Sequence, residues 1–466
     1  MNFNLHNIEQ IRLEDSELAE KINYELQQLI LKPEQLQEVA RIFEEEMDLA
    51  LAEKPSSLQM ENTYVPELPN GRETGKYLAL DLGGTNFRVL LLELVDGVGV
   101  REEVEHFVIS DEIRLGEGVA LFDRLAECLE SFIMRLGLTD ERLALGFTFS
   151  FPMKHHGIAS GTLVTWTKSF NCANVEGKCA VKLLREAIAR RQKCQMVDVV
   201  AIVNDTTGTL MQGALVESRT RIGMILGTGS NACFMEAASR VQHWETTHAD
   251  IQNVAVDIEW GAFGDNGRID FIKTPFDIAV DAESLLKGSF TFEKYIGGKY
   301  LGEVFRVICH HLIQQKSLLS NANPDKFPKT WQFPTTNISQ IELDNLEGSS
   351  HRTCGILRDA GFFESECTAA DIAILQHVAA VVSSRASQLV AVCLGVLLKR
   401  INESQETVIA VDGSLYKHHP RLRGWIEGHL RQMCPQHPFR LHLALDGSGK
   451  GAALVAAIAD RLAKRQ

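Results

Sequence analysis

The chain has 466 residues, is 45% hydrophobic and carries a formal net charge of −14 at pH 7. That length can bury a large core and suggests two or more domains, while the acidic balance argues against a general binder of nucleic acid or of membrane surfaces. The ten cysteines form no CxxC pair. With no basic-then-apolar leader and no apolar run approaching the roughly 20 residues of a membrane span, they read as reduced thiols in a cytoplasmic protein.

Residues 1–55 alternate charge and hydrophobe at helical spacing, with Pro33 and Glu34 opening a second helix that runs to about Ala52. No chemistry is visible there. Residues 56–76 are punctuated by Pro66 and Pro69 and read as loop. Tyr77 to Leu94 then reads as strand–turn–strand. Its tip carries Asp81, Gly83, Gly84, Thr85, Asn86 and Arg88. Glycines allow a sharp turn and close approach of a ligand to the backbone. Freed amides, with Thr85 and Asn86, suit phosphate oxygens. Asp81 suits the Mg²⁺ that travels with a nucleotide, and Arg88 adds positive charge. An ordinary hairpin turn is the competing reading of this stretch alone.

Residues 97–112 give weaker strand signals, Leu121–Leu136 a helix, and Arg142–Phe149 a strand that ends at Ser150. Gly157–Trp166 reads as irregular and leads to Thr167 and Lys168. Val175–Arg191 reads as a helix. Val197–Val203 is an apolar strand running into Asn204 and Asp205, with a helix beyond. Arg221–Ala237 repeats the design of the first hairpin, with Gly227, Thr228, Gly229, Ser230 and Asn231 at the turn. Two such clips suggest a duplicated α/β architecture that pinches a nucleotide between its halves. Val254–Ile258 is a strand ending at Glu259, and a helix is expected from about Glu293 through Leu312. Residues 317–336 read as loop, Ala369–Leu398 as a long helix. Strands over Glu406–Val411 and Phe439–Leu445 end at Asp412 and Asp446, and a glycine- and alanine-rich helix closes the chain.

Ser150, Asp205, Glu259, Asp412 and Asp446 all fall where a strand ends, which is where ligands bind in open α/β sheets. Asp205 follows a wholly apolar strand and suits proton transfer from an alcohol to be phosphorylated. Its competing role is a helix N-cap. Glu259, Glu293, Asn204 and Asn231 suit the hydroxyls of a neutral polyol, although spacing alone favours a solvated surface role for Glu293. Gly447–Lys450 falls short of a P-loop, because Ala444 stands where that pattern needs glycine. The paired histidines, such as His155 and His156, lack metal-ligand spacing.

The chain resembles the hexokinase family, in its single-module form that includes glucokinase, from about residue 60 to the C-terminus. The stretches that carry the resemblance are LALDLGGTNFRVLL, FTFSFP, WTKSF, VNDTTGT, LGTGSNA, EWGAFGD, FEKYIGGKYLGE, VDGSLYKHHP and DGSGKGAAL. The resemblance implies an actin-like, ribonuclease-H-like pair of α/β domains with a cleft between them. Residues 1–75 would be a helical segment on the large domain. Residues 76–204, joined by helix 447–466, would be the small domain, and 205–446 the large one. The implied activity is that of a kinase: transfer of a phosphoryl group from Mg·ATP to the 6-hydroxyl of a hexose, glucose leading, as in the first step of glycolysis. Asp205 would be the general base, and Lys168 a second catalytic group. Ser150, Thr167, Lys168, Asn204, Asp205, Asn231, Glu259 and Glu293 would surround the sugar. Asp81, Gly83, Gly84, Thr85, Asn86, Arg88, Thr228 and Gly229 would serve the two phosphate clips. Lys299, Thr335, Ser339, Gly413 and Ser414 would meet the nucleotide. Mg²⁺ would arrive with ATP near Asp81 and Asp205, with no ligand set of its own. The expected molecule is a soluble monomer whose partners are a hexose and ATP, with no nucleic acid and no membrane. Met153, Lys154, His155 and Ser169 depart from the family's usual residues. They leave open a second reading, a hexokinase-like sugar sensor with little or no turnover.

Overall fold

The computed structural model describes residues 1–83, 86–167, 170–241 and 251–464. In chain order the strands are β1 Glu61–Asn62, β2 Gly75–Leu82, β3 Asn86–Val95, β4 Val98–Val108 and β5 Leu143–Phe149. There follow β6 Met153–Gly157, β7 Ser160–Leu163, β8 Val197–Val203, β9 Thr220–Leu226 and β10 Ser230–Ala237. The last are β11 Asn253–Asp257, β12 Thr407–Asp412 and β13 Phe439–Leu443.

Two sheets organise the molecule. One has the order β4-β3-β2-β5-β8, the other β1-β11-β10-β9-β12-β13. Each contains an antiparallel meander, β2-β3-β4 or β9-β10-β11, continued by parallel strands. The duplicated α/β plan expected from the paired clips is therefore present. The central parallel strands β5 and β12 are mostly apolar because both of their faces are covered.

The N-terminal helices Ser16–Leu26 and Pro33–Leu51 bury Ile22, Leu26, Val39, Phe43 and Met47 in the same core as the second sheet and the Ala369–Ile401 helix. That last helix is long and apolar enough to cross a membrane by length and composition, contrary to the reading that no such run exists. Its apolar window is wholly buried inside the fold. A helix enclosed on all sides has no polar face to keep.

Local expectations fail in three places. The helix over Val175–Arg191 begins only at Ala180, because Gly177 turns the chain with φ +76°. The segment read as irregular contains β7, which pairs with β6 as a hairpin. The single helix from Glu293 is two, Thr291–Ile296 and Gly298–Gln314, broken at Gly297.

The Asp205–Val216 helix covers the second sheet and the Gly447–Ala463 helix covers the first. The two cross glycine on glycine. A Cβ on Gly451 would lie 2.1 Å from both Cα and O of Gly208. Gly451→Val forces these helices apart. It should cost about 1–3 kcal/mol, the usual range for overpacking. A urea titration reads this as a lower midpoint at unchanged slope, and an unshifted midpoint would refute the close crossing.

Candidate active site

The site is assembled from strand ends. Buried β8 delivers Asn204, whose Oδ1 accepts from Thr206 N and Thr206 Oγ1, each at 3.1 Å. Asn204 is therefore the cap of the Asp205–Val216 helix. Asp205 stands instead in its first turn, half-buried, where helix amides and dipole favour a negative charge.

Asn204 Nδ2 donates to Glu259 Oε1 at 3.1 Å, and Asn231 Nδ2 donates to the same oxygen at 2.9 Å. Glu259 holds a left-handed backbone, φ +54°. Such strain in a non-glycine residue persists only where the surroundings impose it. Glu293 Oε2 accepts from Ser230 N at 3.1 Å. A Cβ on Gly229 would sit 2.5 Å from that same oxygen, so the glycine makes room for the carboxylate. Glu293 is half-buried against the second clip, which its spacing alone did not suggest.

Ser150 is buried, and its Oγ has no hydrogen-bond partner among the described residues. A buried hydroxyl without a partner costs free energy that a ligand can recover. Thr167 is half-buried beside Trp166. Trp166 packs on Phe151 with ring centroids 4.8 Å apart. Lys168 and Ser169 lie outside the described residues.

At the first clip, Asp81 is buried and its Oδ2 accepts from Ser448 Oγ at 2.8 Å and from Arg88 Nε at 3.1 Å. Arg88 also pairs with Asp446. Its guanidinium, expected to offer charge to a phosphate, is compensated here by two carboxylates and braces the hairpin against the C-terminal helix. Gly83 keeps space beside Ser150: a Cβ there would lie 3.6 Å from Ser150 Oγ. Asn86 opens β3. Gly84, Thr85 and the Asn86 side chain lie outside what is described.

The second clip is built from backbone. Gly298 N donates to Gly227 O and Lys299 N donates to Thr228 O, both at 2.8 Å. Gly413 holds φ +121°, and a Cβ on it would meet Leu226 at 2.4 Å, so only glycine fits. A Cβ on Gly227 would lie 3.4 Å from Ser414 N. Lys299 is exposed, its Nζ 5.5 Å from the Tyr300 ring centre. Thr335 Oγ1 accepts from Gly302 N at 2.8 Å, and Ser339 lies buried on the same helix as Thr335.

A short path joins the clips. Ser448 reaches Asp81. Gly447 N donates to Asp412 Oδ2 at 3.1 Å, and Gly413 N to Asp412 Oδ1 at 2.7 Å. A Cβ on Gly208, in the helix that Asp205 opens, would lie 3.0 Å from Gly447 O. Both clips and Asp205 therefore share one neighbourhood.

Asp257 escaped the sequence reading, and the hydrogen bonds that Ser448, Thr206 and Ser230 make were not foreseen. Asp257 carried a usable signal, because it is an acidic residue at the end of an otherwise apolar strand. A cavity of about 660 Å³ lies elsewhere, at the far ends of β10 and β11, lined by Met235, Ala237 and Asn253 among others. Its Arg221 and Arg400 are paired with its own Glu403 and Glu236.

Hexokinase family models match residues 21–215 and 221–458. Hexokinase-3 of Homo sapiens is 39% identical over 439 residues, covering 93% of this chain and 46% of that protein. Hexokinase HKDC1 of Mus musculus is 40% identical over 440 residues, covering 93% and 47%. The chain thus spans about half the length of the curated relatives it matches. A solved hexokinase from Schistosoma mansoni, complexed with glucose, is 37% identical with a TM-score of 0.85, covering 96% of this chain and 100% of that one. The likeness carries the duplicated actin-like α/β fold with it. Because the family match runs through both clips, the Asn204–Asp205 helix start and the Glu259 turn, the chain belongs to the hexokinase family.

Proposed function

We propose that the chain transfers the γ-phosphoryl group of ATP to the 6-hydroxyl of a hexose, with glucose leading, and so performs the first step of glycolysis. One observation carries the reading: a polar network suited to hydroxyls, Asn204–Glu259–Asn231, meets the start of the helix that bears Asp205. The sugar hydroxyl oxygen attacks the γ-phosphorus, the bond from that phosphorus to the β,γ-bridging oxygen breaks, and ADP leaves. Asp205 takes the hydroxyl proton as the new P–O bond forms. Asn204, Asn231, Glu259 and Glu293 orient the ring, which turns a bimolecular encounter into a positioned one. Ser150 Oγ, without a partner among the described residues, would gain one from the sugar.

Gly227, Gly229 and Gly413 let separate backbone segments pack closely at the second clip, and amides gathered in such a turn suit phosphate oxygens. Thr228, Lys299, Thr335, Ser339 and Ser414 would meet the nucleotide there. Asp81 and Asp205 are the carboxylates that would face Mg²⁺, which neutralises the triphosphate when bound. Movement of the two sheet-bearing halves toward each other would exclude water as a competing acceptor. Support for this reading comes from the family and from the clustered site.

Sugar-dependent ADP release tests it. ADP should rise above background with glucose, and mannose and fructose serve as comparators. Calorimetric glucose binding without ADP release would favour the sensor instead. ATP hydrolysis that ignores sugar would point to a simple ATPase.

A further inference from the structure

Asp257 closes β11 and is sealed from water, 4% exposed. Its Oδ1 accepts from Asn231 Nδ2 at 2.8 Å and from Thr206 Oγ1 at 3.0 Å. The same Asn231 Nδ2 donates to Glu259 Oε1 at 2.9 Å. One amide nitrogen therefore bridges two carboxyl groups and brings an oxygen of each to its side. Two ionised carboxylates offer only acceptors. Gathered on one nitrogen in a buried site, two like charges oppose each other, which favours keeping one proton on the pair.

We propose that Asp257 is a positioning residue for hexose binding, which it serves by sharing a single proton with Glu259 so that Glu259 stays aimed at the sugar. The inference rests on the hexose reading of the site. The groups around Asp257 agree with it. Asp205 faces it from the helix, Glu259 from the following turn and Cys233 from β10, and Glu61 stands opposite it on β1. Among the described residues no lysine or arginine bonds to it. Burial, with a smaller push from Asp205, raises Asp257 from the usual 3.8 to about 7. The proton is thus held where a free aspartate would have lost it. A raised carboxyl stabilises the fold fully below the unfolded value, near 3.8, and loses that contribution as pH climbs through about 7. Above that point two negative charges confront each other, and Glu259 is pushed off its position.

The test is the pH dependence of sugar affinity. In the wild type, KM for glucose should rise several-fold between about pH 6 and pH 8, with kcat moving less. In Asp257→Asn the amide donates to Glu259 and has no proton to lose, so its KM should stay level across that range. A level wild-type KM, or an equal rise in the variant, overturns the proposal. The wild type alone gives a second check. Calorimetric glucose titration at about pH 8, in buffers of different ionisation enthalpy, should register uptake of up to about one proton. Absence of uptake at that pH also overturns it. A chain that binds no glucose sinks the hexose reading instead, and the shared proton is then judged from Tm without ligand. The wild type should lose more Tm than Asp257→Asn from pH 6 to pH 8, and equal losses overturn the pair.

Discussion

Asp205→Ala should lower sugar-dependent ADP release by roughly 10²–10⁴-fold while glucose binding is largely kept, because a positioned general base contributes on that scale. The bonds from Asn204 and Asn231 to Glu259, and from Ser230 N to Glu293, do not use the Asp205 carboxylate. Loss of the helix cap cannot explain such a fall, since Asn204 supplies the cap. Initial rates over a glucose series should show kcat falling far more than KM changes. Asp205→Asn should behave like the alanine variant, because the amide cannot take the proton. Turnover within a few-fold of wild type in either variant would remove Asp205 from the chemistry.

The largest expected effect on stability is at Arg385, far from the sugar site in sequence and in role. It lies inside the Ala369–Ile401 helix, 3% exposed. Its Nη1 and Nη2 reach Asp277 Oδ1 and Oδ2 at 2.8 and 2.9 Å, and Nη2 also donates to Ile272 O at 2.9 Å. The guanidinium sits 4.7 Å from the centre of the Tyr295 ring. Arg385→Ala leaves the Asp277 carboxylate buried without its cation and should cost about 3–5 kcal/mol. Denaturant unfolding gives the value. Replacing both partners, as Arg385→Met with Asp277→Leu, should recover much of the loss, because an apolar pair of similar volume carries no desolvation penalty. A loss under about 1 kcal/mol in the single variant would mean the pair is no better than an exposed one.

These two cases mark how far local sequence reaches. The place of Asp205 just past a strand was readable because an apolar run marks the strand and the polar residues after it mark its end. The clips were readable because glycine beside short polar residues has a local conformational cause. Arg385 and Asp277 look like ordinary charged residues in two helices, and nothing within a few positions of either announces the other. Arg88 shows the same limit. Its place in the first clip is local, but its neutralisation by Asp446 comes from the other end of the chain.

The sequence by itself determined the alternation of strands and helices, the two glycine turns and the polar groups at the strand ends, since each depends on neighbours along the chain. Only the tertiary structure decided that Asn204 rather than Asp205 caps the helix, that Gly208 and Gly451 touch, and that Asp257 and Glu259 face one another beneath Asn231. Those outcomes depend on burial and on distances between segments far apart in the chain. Burial sets whether a carboxyl keeps its proton, and no spacing along the backbone encodes it.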